Sequence, residues 1–404
     1  MNDILSGLRV VEGSAFVAAP SGGMHLAQLG AEVIRFDQIG GGIDYDRWPL
    51  TKDGRSMYWA GLNKGKRSVA VDLRCDEGRE LVLGLICAPG PDAGIFLSNF
   101  PNRGWMAYDK LRSGRDDLIM VNIKGNRDGS TAVDYTVNAA VGYPLVTGPN
   151  AVAWPSNHVL PAWDVICGQM AVVGLLAAER HRTRTGAGQL VELALSDVAM
   201  ATVANLGHVA EAQVNREERS RIGNDMYGAF GRDFPTGDGR RVMAVAISYR
   251  QWQNLVASME FEEKIKRLEE LLDTDFRQEG NRYDHRRMLG SLMEPWFASR
   301  TVDEIREVFD ANSVCWGPYQ TFRQLVDEDP RCTTTNKMFD MVDQPGIGRY
   351  LMPGSPIDFS ASPRQEAVPA PWLGADTEYV LAEMLQLSPA EIGDLHDRGI
   401  VASA

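Results

Sequence analysis

The first 125 residues alternate between short apolar runs and segments of helical character. The runs are LRVVEG (8–13), EVIRF (32–36), SVAVDL (68–73), GIFLSNF (94–100) and LIMVNIKG (118–125). Helix-like segments, such as residues 19–30 and 76–88, lie between them. Near-continuous apolar strands that alternate with helices are typical of a parallel sheet with helices on both faces. The sequence therefore predicts an α/β fold.

Ligands of such a sheet bind beyond the carboxyl ends of its strands. The strand ends of this chain carry Gly13 with Ser14, Asp37, Asn99 with Phe100, and Lys124 with Gly125. The segment after the first strand, EGSAFVAAPSGG, contains no GxGxxG, and the chain has neither a P-loop nor a GxSxG turn. A dinucleotide enzyme, a P-loop enzyme and a serine hydrolase are therefore disfavoured, because each depends on its motif.

Composition excludes several classes of partner. The chain of 404 residues has a net charge of −13, which argues against nucleic acid and anionic membranes because both attract basic surfaces. Its five cysteines include no CxxC pair and its six histidines no HxxxH pair. We therefore expect no disulfide framework, no metal site and a cytoplasmic protein. No signal peptide is evident, and the longest charge-free segment, 165–178, is too short to span a bilayer.

The character of the chain changes twice after its N-terminal part, residues 1–204. Residues 205–225 are charged with a helical pattern, and they predict a connector to a second unit, 226–329. A final segment, 330–404, opens with a proline-rich stretch that we expect to run over a surface. Further strands and helices are predicted at 190–195, 240–247, 261–272, 301–312, 376–385 and 388–399.

Asp164 stands at the start of the charge-free segment 165–178. A segment that is apolar on all sides predicts a buried central helix, and Gly186 after a basic run predicts its end. Aspartate is among the best helix caps, so the pattern alone favours Asp164 as the N-cap. Alternatively, a carboxylate between Trp163 and Val165 lies in a dry setting, and perturbed groups of this kind cluster at functional sites.

Basic residues lie near several of the predicted strand ends. They are Lys64, Lys66 and Arg67 before the third strand, and Arg74, Arg103 and Lys124 near other strand ends. Brought together, they could bind pyrophosphate or a 3′-phosphate. The alternative is a solvated basic edge on an acidic protein, which the spacing alone favours slightly.

Five blocks spread over the chain carry a resemblance to a known family. They are LSGLRVVEGSAFVAAPSGGMHLAQLGAEVIRFD, NKGKRSVAVDL, AWDVICGQMAVVGLLAAERHRTRTGAGQLVELALSDV, RTVDEIREVFDANSV and PAPWLGADTEYVL. In this order they resemble the class III CoA-transferases, the CaiB/BaiF family. The third block is similar to the one that carries the family's catalytic aspartate, which corresponds to Asp164 here.

The resemblance implies a large Rossmann-like domain with a parallel sheet and a smaller α+β domain. Residues 1–204 and 330–404 would belong to the large domain, and residues 226–329 would form the small one. Two open-ring chains of this family interlock as a homodimer, with the active site between one chain's large domain and the partner's small domain. We therefore expect a homodimer.

The resemblance also implies a covalent mechanism in which Asp164 is the nucleophile. Its carboxylate attacks a thioester to give a mixed anhydride and CoA thiolate, and the thiolate then forms an aspartyl-CoA thioester. A second carboxylate takes CoA by the reverse steps. Anhydrides hydrolyse, so water must be excluded, and Trp163 with the apolar helix suits that need. No cofactor is expected, because CoA is part of the substrate.

Residues at the family's CoA-contacting positions are implied to line the CoA site. They are Phe16, Val17, Arg74, Asn99, Arg103 and Lys124. Gln38 stands where relatives often carry a basic residue that contacts CoA. Arg47 is the expected partner of a free substrate carboxylate, with a surface position or a CoA contact as alternatives.

Two features narrow the expected activity. Racemases of the family place a His-Asp pair at the stretch VDYTVNAAVG, where Val133 precedes Asp134, so the histidine base is missing. The segments HVLPAWD, YGAFGRDF and QPGIGRYLMPGSP resemble members that move CoA between the two carboxyls of one dicarboxylic acid. We therefore expect intramolecular transfer on a C5 dicarboxylyl-CoA. Intermolecular transfer, racemisation and non-catalytic CoA binding are the alternatives.

Overall fold

The computed structural model describes residues 3–152 and 154–404, and the chain divides into two compact units. Unit 1 comprises the described residues of Met1–Val141, His158–Asn215 and Pro330–Ala404. Unit 2 comprises those of Gly142–Asn157 and Arg216–Asp329. Unit 1 is therefore assembled from three separate stretches of sequence.

The strands form one large sheet and two small antiparallel ones. In chain order they are β1 (Arg9–Gly13), β2 (Glu32–Gln38), β3 (Arg67–Val71), β4 (Ile95–Ser98), β5 (Ile119–Lys124), β6 (Leu190–Ala194), β7 (Phe230–Pro235), β8 (Arg241–Ala246), β9 (Cys315–Pro318), β10 (Phe339–Gln344), β11 (Gly348–Pro353) and β12 (Val401–Ala402). Unit 1 holds a seven-stranded sheet of order β12-β3-β2-β1-β4-β5-β6, in which only β12 runs antiparallel to its neighbour. The hairpin β10–β11 also belongs to unit 1, and β7-β8-β9 is the sheet of unit 2.

The helices occupy the connections between these strands. In chain order they are α1 (Ala18–Gln28), α2 (Met57–Leu62), α3 (Asp76–Ile86), α4 (Tyr108–Gly114), α5 (Asp134–Ala140), α6 (Tyr143–Val146), α7 (Ala162–Thr185), α8 (Leu195–Asn205), α9 (His208–Ala210), α10 (Tyr249–Ser258), α11 (Glu262–Leu272), α12 (Glu279–Asp284), α13 (Arg286–Ala298), α14 (Val302–Ala311), α15 (Phe322–Glu328), α16 (Thr377–Leu385) and α17 (Pro389–Asp397). A short 3₁₀ turn at Gly104–Met106 and a π-helical turn at Glu211–Asn215 complete them.

The predicted parallel sheet with helices on both faces is confirmed. One face packs on α3, α4, α16 and α17 in a core that contains Phe36 and Phe96. The next residue of β4, Leu97, lies instead beside Gly22 of α1. Because successive side chains of a strand point to opposite faces, α1 covers the other face of the sheet. Unit 2 has its own core, in which α10, α13 and α14 pack on the antiparallel sheet.

The prediction that the segment 165–178 lies in a fully buried helix is wrong in one respect. Helix α7 buries only one face, through Cys167, Ala171 and Leu175, whereas Met170 and Val173 are 45% and 59% exposed. A helix that is apolar on all sides needs cover on all sides, and the rest of the chain supplies it on one. By length and hydropathy alone α7 could also span a bilayer, a test that core helices of soluble proteins pass as well.

Local signals at helix ends are accurate, but the helical pattern predicted for residues 205–225 is only partly so. Gly186 ends α7 in the left-handed conformation, at φ 74°, and Ser388 caps α17 in a capping box with Glu391. The predicted helical pattern of residues 205–225 ends at Asn215, and no helix follows before residue 230. Charged residues without an apolar face have little to pack against, so helical propensity alone does not extend the helix.

Helices α1 and α7 cross at a contact between small residues. A Cβ atom added to Gly168 of α7 would lie 2.5 Å from the carbonyl oxygen of Ala18 and 2.2 Å from the hydroxyl of Ser21. A Cβ atom on Gly22 would lie 3.1 Å from the carbonyl oxygen of Gly168. The glycines therefore let the two helix backbones approach closely, and the N-termini of both helices lie at the same edge of the sheet.

The Gly168→Ala substitution should destabilise unit 1, because the new methyl group meets backbone as well as a side chain. We expect a loss of about 1–3 kcal/mol in the free energy of unfolding, measured by urea denaturation. Gly393→Ala is the matched control, because Gly393 lies in helix α17 with no atom within 4 Å of an added Cβ. That control should gain stability through helix propensity. Equal effects of the two substitutions would contradict a tight crossing at Gly168.

Candidate active site

The carboxyl ends of β1, β4 and β5 open onto a cavity of about 640 Å³ within unit 1. This volume is typical of a small-molecule site. The cavity brings together six residues singled out in the sequence. They are Phe16, Val17, Arg47, Asn99, Lys124 and Asp164. Its wall also contains Trp48, Tyr58, the start of α5 from Val133 to Tyr135, and Val159 and Pro161 before α7.

Asp164 is not the cap of its helix, so the capping interpretation is wrong. Helix α7 begins at Ala162, its N-cap position is Pro161, and Asp164 is the third helical residue. The backbone N–H groups of Trp163 and Asp164 donate instead to Oδ2 of Asp134, at 2.7 and 3.1 Å. Asp134 comes from the first turn of α5 and is 2% exposed. A second carboxylate thus caps α7, and the carboxylate of Asp164 is left for the cavity.

Helix α5 holds the chain around Asp164 through several further contacts. Asn138 accepts a hydrogen bond from the indole of Trp163 at 3.1 Å, and the hydroxyl of Tyr135 donates to the carbonyl of Val159 at 3.2 Å. Nε2 of His158 lies 3.4 Å from Oδ1 of Asp134. The seven residues of α5 therefore fix the segment that leads into α7.

The carboxyl of Asp164 has a strongly perturbed pKa. Burial, and next the negative charge of Asp134, raise the pKa of Asp164 to about 7, while Arg47 opposes this shift. Burial disfavours the charged form because water no longer solvates it, and a nearby like charge acts in the same direction. The carboxylate is therefore unusually basic and is still partly ionised near neutral pH.

Arg47 is the cation that faces Asp164 across the cavity. Its Cζ atom lies 5.3 Å from the ring centroid of Phe16 and 5.4 Å from that of Tyr58. Among the described residues, no carboxylate lies within ion-pair distance of its guanidinium. Burial raises the pKa of Tyr58 to about 12, so the phenol stays protonated as a hydrogen-bond donor beside Arg47. The two side chains offer a site for an anion.

The loop between β1 and α1 is held in an unusual conformation. Phe16 has a φ of 66°, which is costly for a residue with a Cβ atom. Its N–H donates to Asp44 at 3.0 Å, and the side-chain amide of Asn99 makes two bonds to the backbone of Ala15, at 2.7 and 2.9 Å. Asn99 therefore positions the loop that presents Phe16 and Val17, in addition to lining the cavity.

A buried cluster of charges lies beneath that loop. Its cations are Arg35 and Lys66, and its carboxylates are Glu12, Asp37 and Asp44. Burial opposes the charge of Arg35, but the adjacent carboxylates, Asp37 foremost, raise its pKa. Burial lowers the pKa of Lys66 to about 8, against the attraction of Glu12 at 2.8 Å. Arg35 also donates to the carbonyl of Ser14, which connects the cluster to the loop.

The remaining basic residues do not line one common cavity. Lys64 donates to the carbonyl of Pro353, and Arg67 pairs with Glu32 and Asp376, so both contact the protein itself. Arg74 and Arg103 are exposed and do not line the cavity. Three of the other basic residues form ion pairs within the protein: Lys66 with Glu12, Arg74 with Asp72 and Lys124 with Glu192. Of the set, only Lys124 reaches the cavity wall.

Sequence reasoning missed the role of Asp134 and the position of His158. Val133 at the N-cap of α5 offers no capping side chain, and Asp134 follows it as the first helical residue. An acid at a helix start is ordinarily explained by its interaction with the dipole of its own helix. The sequence therefore gives no reason to expect a contact with a different helix. His158 lies six residues before Asp164 and reaches Asp134 from there. A search for a His-Asp pair of adjacent residues could not reveal this contact. Among the described residues, no group of three His, Cys, Asp or Glu side chains could hold a metal ion.

Comparison with known proteins assigns the family. The model described as CoA-transferase family III matches residues 5–377, and the chain therefore belongs to CoA-transferase family III. The chain is 56% identical over 403 residues to the 2-methylfumaryl-CoA isomerase of Chloroflexus aurantiacus, covering 100% of this chain and 98% of that one. It is 29% identical over 388 residues to the succinyl-CoA:mesaconate CoA-transferase of Haloarcula hispanica, covering 91% of each.

A solved structure shares the fold. The structure of a CaiB/BaiF family protein from Brucella suis matches with a TM-score of 0.78 at 24% identity, covering 95% of this chain and all of that one.

The perturbed pKa of Asp164 predicts that this residue lowers the stability of the protein. A carboxyl whose pKa rises from 3.8 to about 7 on folding costs nothing below pH 3.8, and its cost grows to a plateau above pH 7. The plateau is at most about 4 kcal/mol. The Asp164→Asn variant should therefore melt at a higher temperature than the wild type, with a larger difference at pH 8 than at pH 5.

Asp197→Asn is the matched control for this melting experiment. Asp197 is likewise the third residue of a helix, α8, but pairs with Arg127 at 2.6 Å. Its removal should lower the melting temperature or leave it unchanged. A melting temperature of Asp164→Asn at or below that of the wild type at pH 8 would contradict the perturbed carboxyl.

Proposed function

We propose that the protein catalyses intramolecular CoA transfer between the C1 and C4 carboxyls of mesaconyl-CoA (2-methylfumaryl-CoA), with Asp164 as the nucleophile. The observation that carries the proposal is that Asp164 does not cap its helix. Its carboxyl has a raised pKa, faces the cavity and lies opposite Arg47. Support for the substrate comes from the relative at 56% identity, which is named for isomerising the same thioester.

The first half of the reaction moves CoA onto the protein. An oxygen of the Asp164 carboxylate attacks the thioester carbonyl at C1, the carbon–sulfur bond breaks, and CoA leaves as the thiolate. The product is a mixed anhydride between Asp164 and C1 of mesaconate. The thiolate then attacks the side-chain carbonyl of Asp164, which releases the C1 carboxylate and leaves CoA as a thioester on Asp164. No proton is gained or lost, so no general acid or base is needed.

The second half repeats these steps with the other carboxyl. Mesaconate turns end for end, and its C4 carboxylate attacks the Asp164 thioester to regenerate an anhydride and thiolate. The thiolate attacks the C4 acyl carbon and frees the Asp164 carboxylate. The acceptor carboxylate belongs to the donor molecule, so no second acid enters. Each cycle depends on retaining free mesaconate and on excluding water from the two anhydrides and the thioester of Asp164.

Arg47 serves both halves of this reaction. While C1 reacts at Asp164, the free C4 carboxylate binds the guanidinium, and after mesaconate turns, the C1 carboxylate takes that place. One fixed cation suffices because the two carboxylates exchange roles. The rings of Phe16 and Tyr58 beside the guanidinium limit its rotamers, which holds the anion site at a defined position relative to Asp164.

CoA is proposed to enter along the carboxyl ends of the strands, against Phe16, Val17, Asn99 and Lys124. Arg74 and Arg103, which are exposed outside the cavity wall, are proposed to meet the outer, phosphate-bearing part of CoA. Gln38 is an exception among the implied contacts, because its amide bonds Asp72 and the backbone of Leu73. These hydrogen bonds favour a structural role for Gln38 at the end of β2.

We propose that the working form is a cytoplasmic homodimer with interlocked chains. The exposed apolar face of α7, with Met170 and Val173, is the kind of surface that a second copy covers. A second copy would also help to keep water from the cavity, whose rim includes the exposed Trp48 and Val159. The cysteines of the described residues are all free thiols, as suits a reducing compartment.

A competition experiment with external acid tests the intramolecular route. Mesaconyl-C1-CoA is incubated with the protein and labelled free mesaconate, and the products are separated by liquid chromatography. We expect formation of mesaconyl-C4-CoA with no label in either thioester. Label in the thioesters would refute the intramolecular route and favour an intermolecular transferase. Asp164→Asn should lose turnover by a factor of at least about 10³, and Asp197→Asn should retain it.

Replacement of Arg47 tests the site for the free carboxylate. Arg47→Met keeps an unbranched apolar stem but removes the guanidinium, and we expect kcat/KM for mesaconyl-CoA to fall about 10- to 100-fold through loss of a charge-assisted pair. The acid limb of the kcat/KM profile should also move to higher pH, because Arg47 lowers the pKa of Asp164.

A CoA ester of a monocarboxylic acid is the control for Arg47→Met. Acyl transfer from such an ester to Asp164, followed as thiol release in a single turnover, should be affected much less than the reaction of mesaconyl-CoA. Equal losses for both esters would show that Arg47 does not bind the free carboxylate.

A further inference from the structure

Asp134 is a carboxylate that both touches the backbone of Asp164 and acts on its charge. It lies at the start of α5, is 2% exposed, and bonds the N–H groups of Trp163 and Asp164 through a single oxygen. Its other oxygen faces Nε2 of His158. Neither residue belongs to the nucleophilic chemistry described above, and a buried carboxylate costs free energy unless it is paired and hydrogen-bonded.

The position of Asp164 in its helix explains why a separate cap matters. An acid in the first turn of a helix has free N–H groups within reach of its own carboxylate, and Asp side chains commonly bond neighbouring backbone N–H groups. Pro161 at the N-cap carries no side-chain acceptor that could bond those groups first. Asp134 bonds two of them, so the carboxylate of Asp164 is not drawn back onto its own helix.

We propose that Asp134 is a positioning residue of the CoA transfer: it holds the first turn of α7 so that Asp164 points into the cavity, and its negative charge favours the acylated forms of Asp164. This proposal rests on Asp164 being the nucleophile. Acylation converts an anionic carboxylate into a neutral anhydride or thioester. Each acylation step therefore relieves the repulsion between Asp164 and Asp134, and each release of Asp164 restores it.

Few other charged groups contribute to this field. On the side of Asp164, Arg47 is the opposing charge, and Tyr58 and Cys167 also lie close enough to interact with it. Burial raises the pKa of each of those two groups to about 12, so both are neutral near pH 7. On the side of Asp134, the facing groups are His158 and Asp164 itself.

The titration of Asp164 in the full-length free enzyme tests the charge effect without any substrate. Infrared difference spectra of the wild type against Asp164→Asn isolate the carboxyl band of Asp164. In Asp134→Asn, an amide oxygen still accepts from the helix N–H groups but the negative charge is gone. In this variant we expect the titration midpoint of Asp164 to fall by at least about half a pH unit relative to the wild type. Asp76→Asn, at the exposed start of α3, is the control and should leave the midpoint unchanged.

Kinetics of the same variants test the positioning effect. Asp134→Ala loses both cap and charge, and we expect kcat for the C1–C4 interconversion to fall about 10- to 100-fold at pH 8 with a smaller change in KM. Asp134→Asn should keep most of kcat, and its acid limb of kcat/KM should move to lower pH. If Asp134→Ala does not fold, the midpoint and acid limb of Asp134→Asn decide the proposal.

Two outcomes would separate this inference from the proposed function. A wild-type midpoint in Asp134→Asn, or wild-type kcat in a folded Asp134→Ala, would make Asp134 a purely structural residue while leaving Asp164 as nucleophile. Full turnover in Asp164→Asn would instead refute the proposed function, and the infrared titration would still report whether Asp134 acts on Asp164.

Discussion

The bond between the Asp134 carboxylate and the first N–H groups of α7 is the contact on which the arrangement of the site depends. A helix start needs acceptors for its free N–H groups, and for two of those of α7 the acceptor comes from another helix. As a consequence, Asp164 lies in the first turn of α7 but does not cap the helix. Its carboxylate faces a cavity in which burial and a like charge raise its basicity.

A second constraint comes from the charges buried beneath the β1–α1 loop. Arg35 binds Asp37 and Asp44, Asp44 accepts from the N–H of Phe16, and the strained backbone of Phe16 is held by these bonds. Charges of this kind are costly to bury, and removal of one partner would leave the others uncompensated. The cluster therefore makes the shape of the cavity wall dependent on a complete network. Close packing of α1 on α7 through Gly22 and Gly168 then fixes the loop relative to Asp164.

Much of this architecture is predictable from the sequence because it depends on local patterns. Apolar runs such as EVIRF predict strands, Ser388 with Glu391 predicts a helix start, and the carboxyl ends of the strands predict where ligands bind. Other features depend on contacts between distant residues. The approach of His158 to Asp134 joins residues that are 24 positions apart, and no periodicity records it.

The same limit explains the errors about burial and about basic residues. Composition shows that α7 is apolar on all sides, but it does not show how many of those sides the chain itself covers. The sequence suggests a phosphate site or a solvated basic edge at Lys64 and Lys66, because charges are usually exposed. The fold instead places both in the interior, against a carbonyl and a carboxylate. The residue type alone does not distinguish a buried, paired charge from a charge that binds substrate.

The most direct measurement of the central claim follows oxygen atoms to Asp164. Mesaconyl-CoA labelled with ¹⁸O in its free carboxylate is turned over by the enzyme, and the peptide that contains Asp164 is then analysed by mass spectrometry. Each cycle forms and breaks an anhydride, so the account predicts that ¹⁸O passes from the substrate into the side chain of Asp164. A product that isomerises fully while Asp164 gains no ¹⁸O would contradict the account.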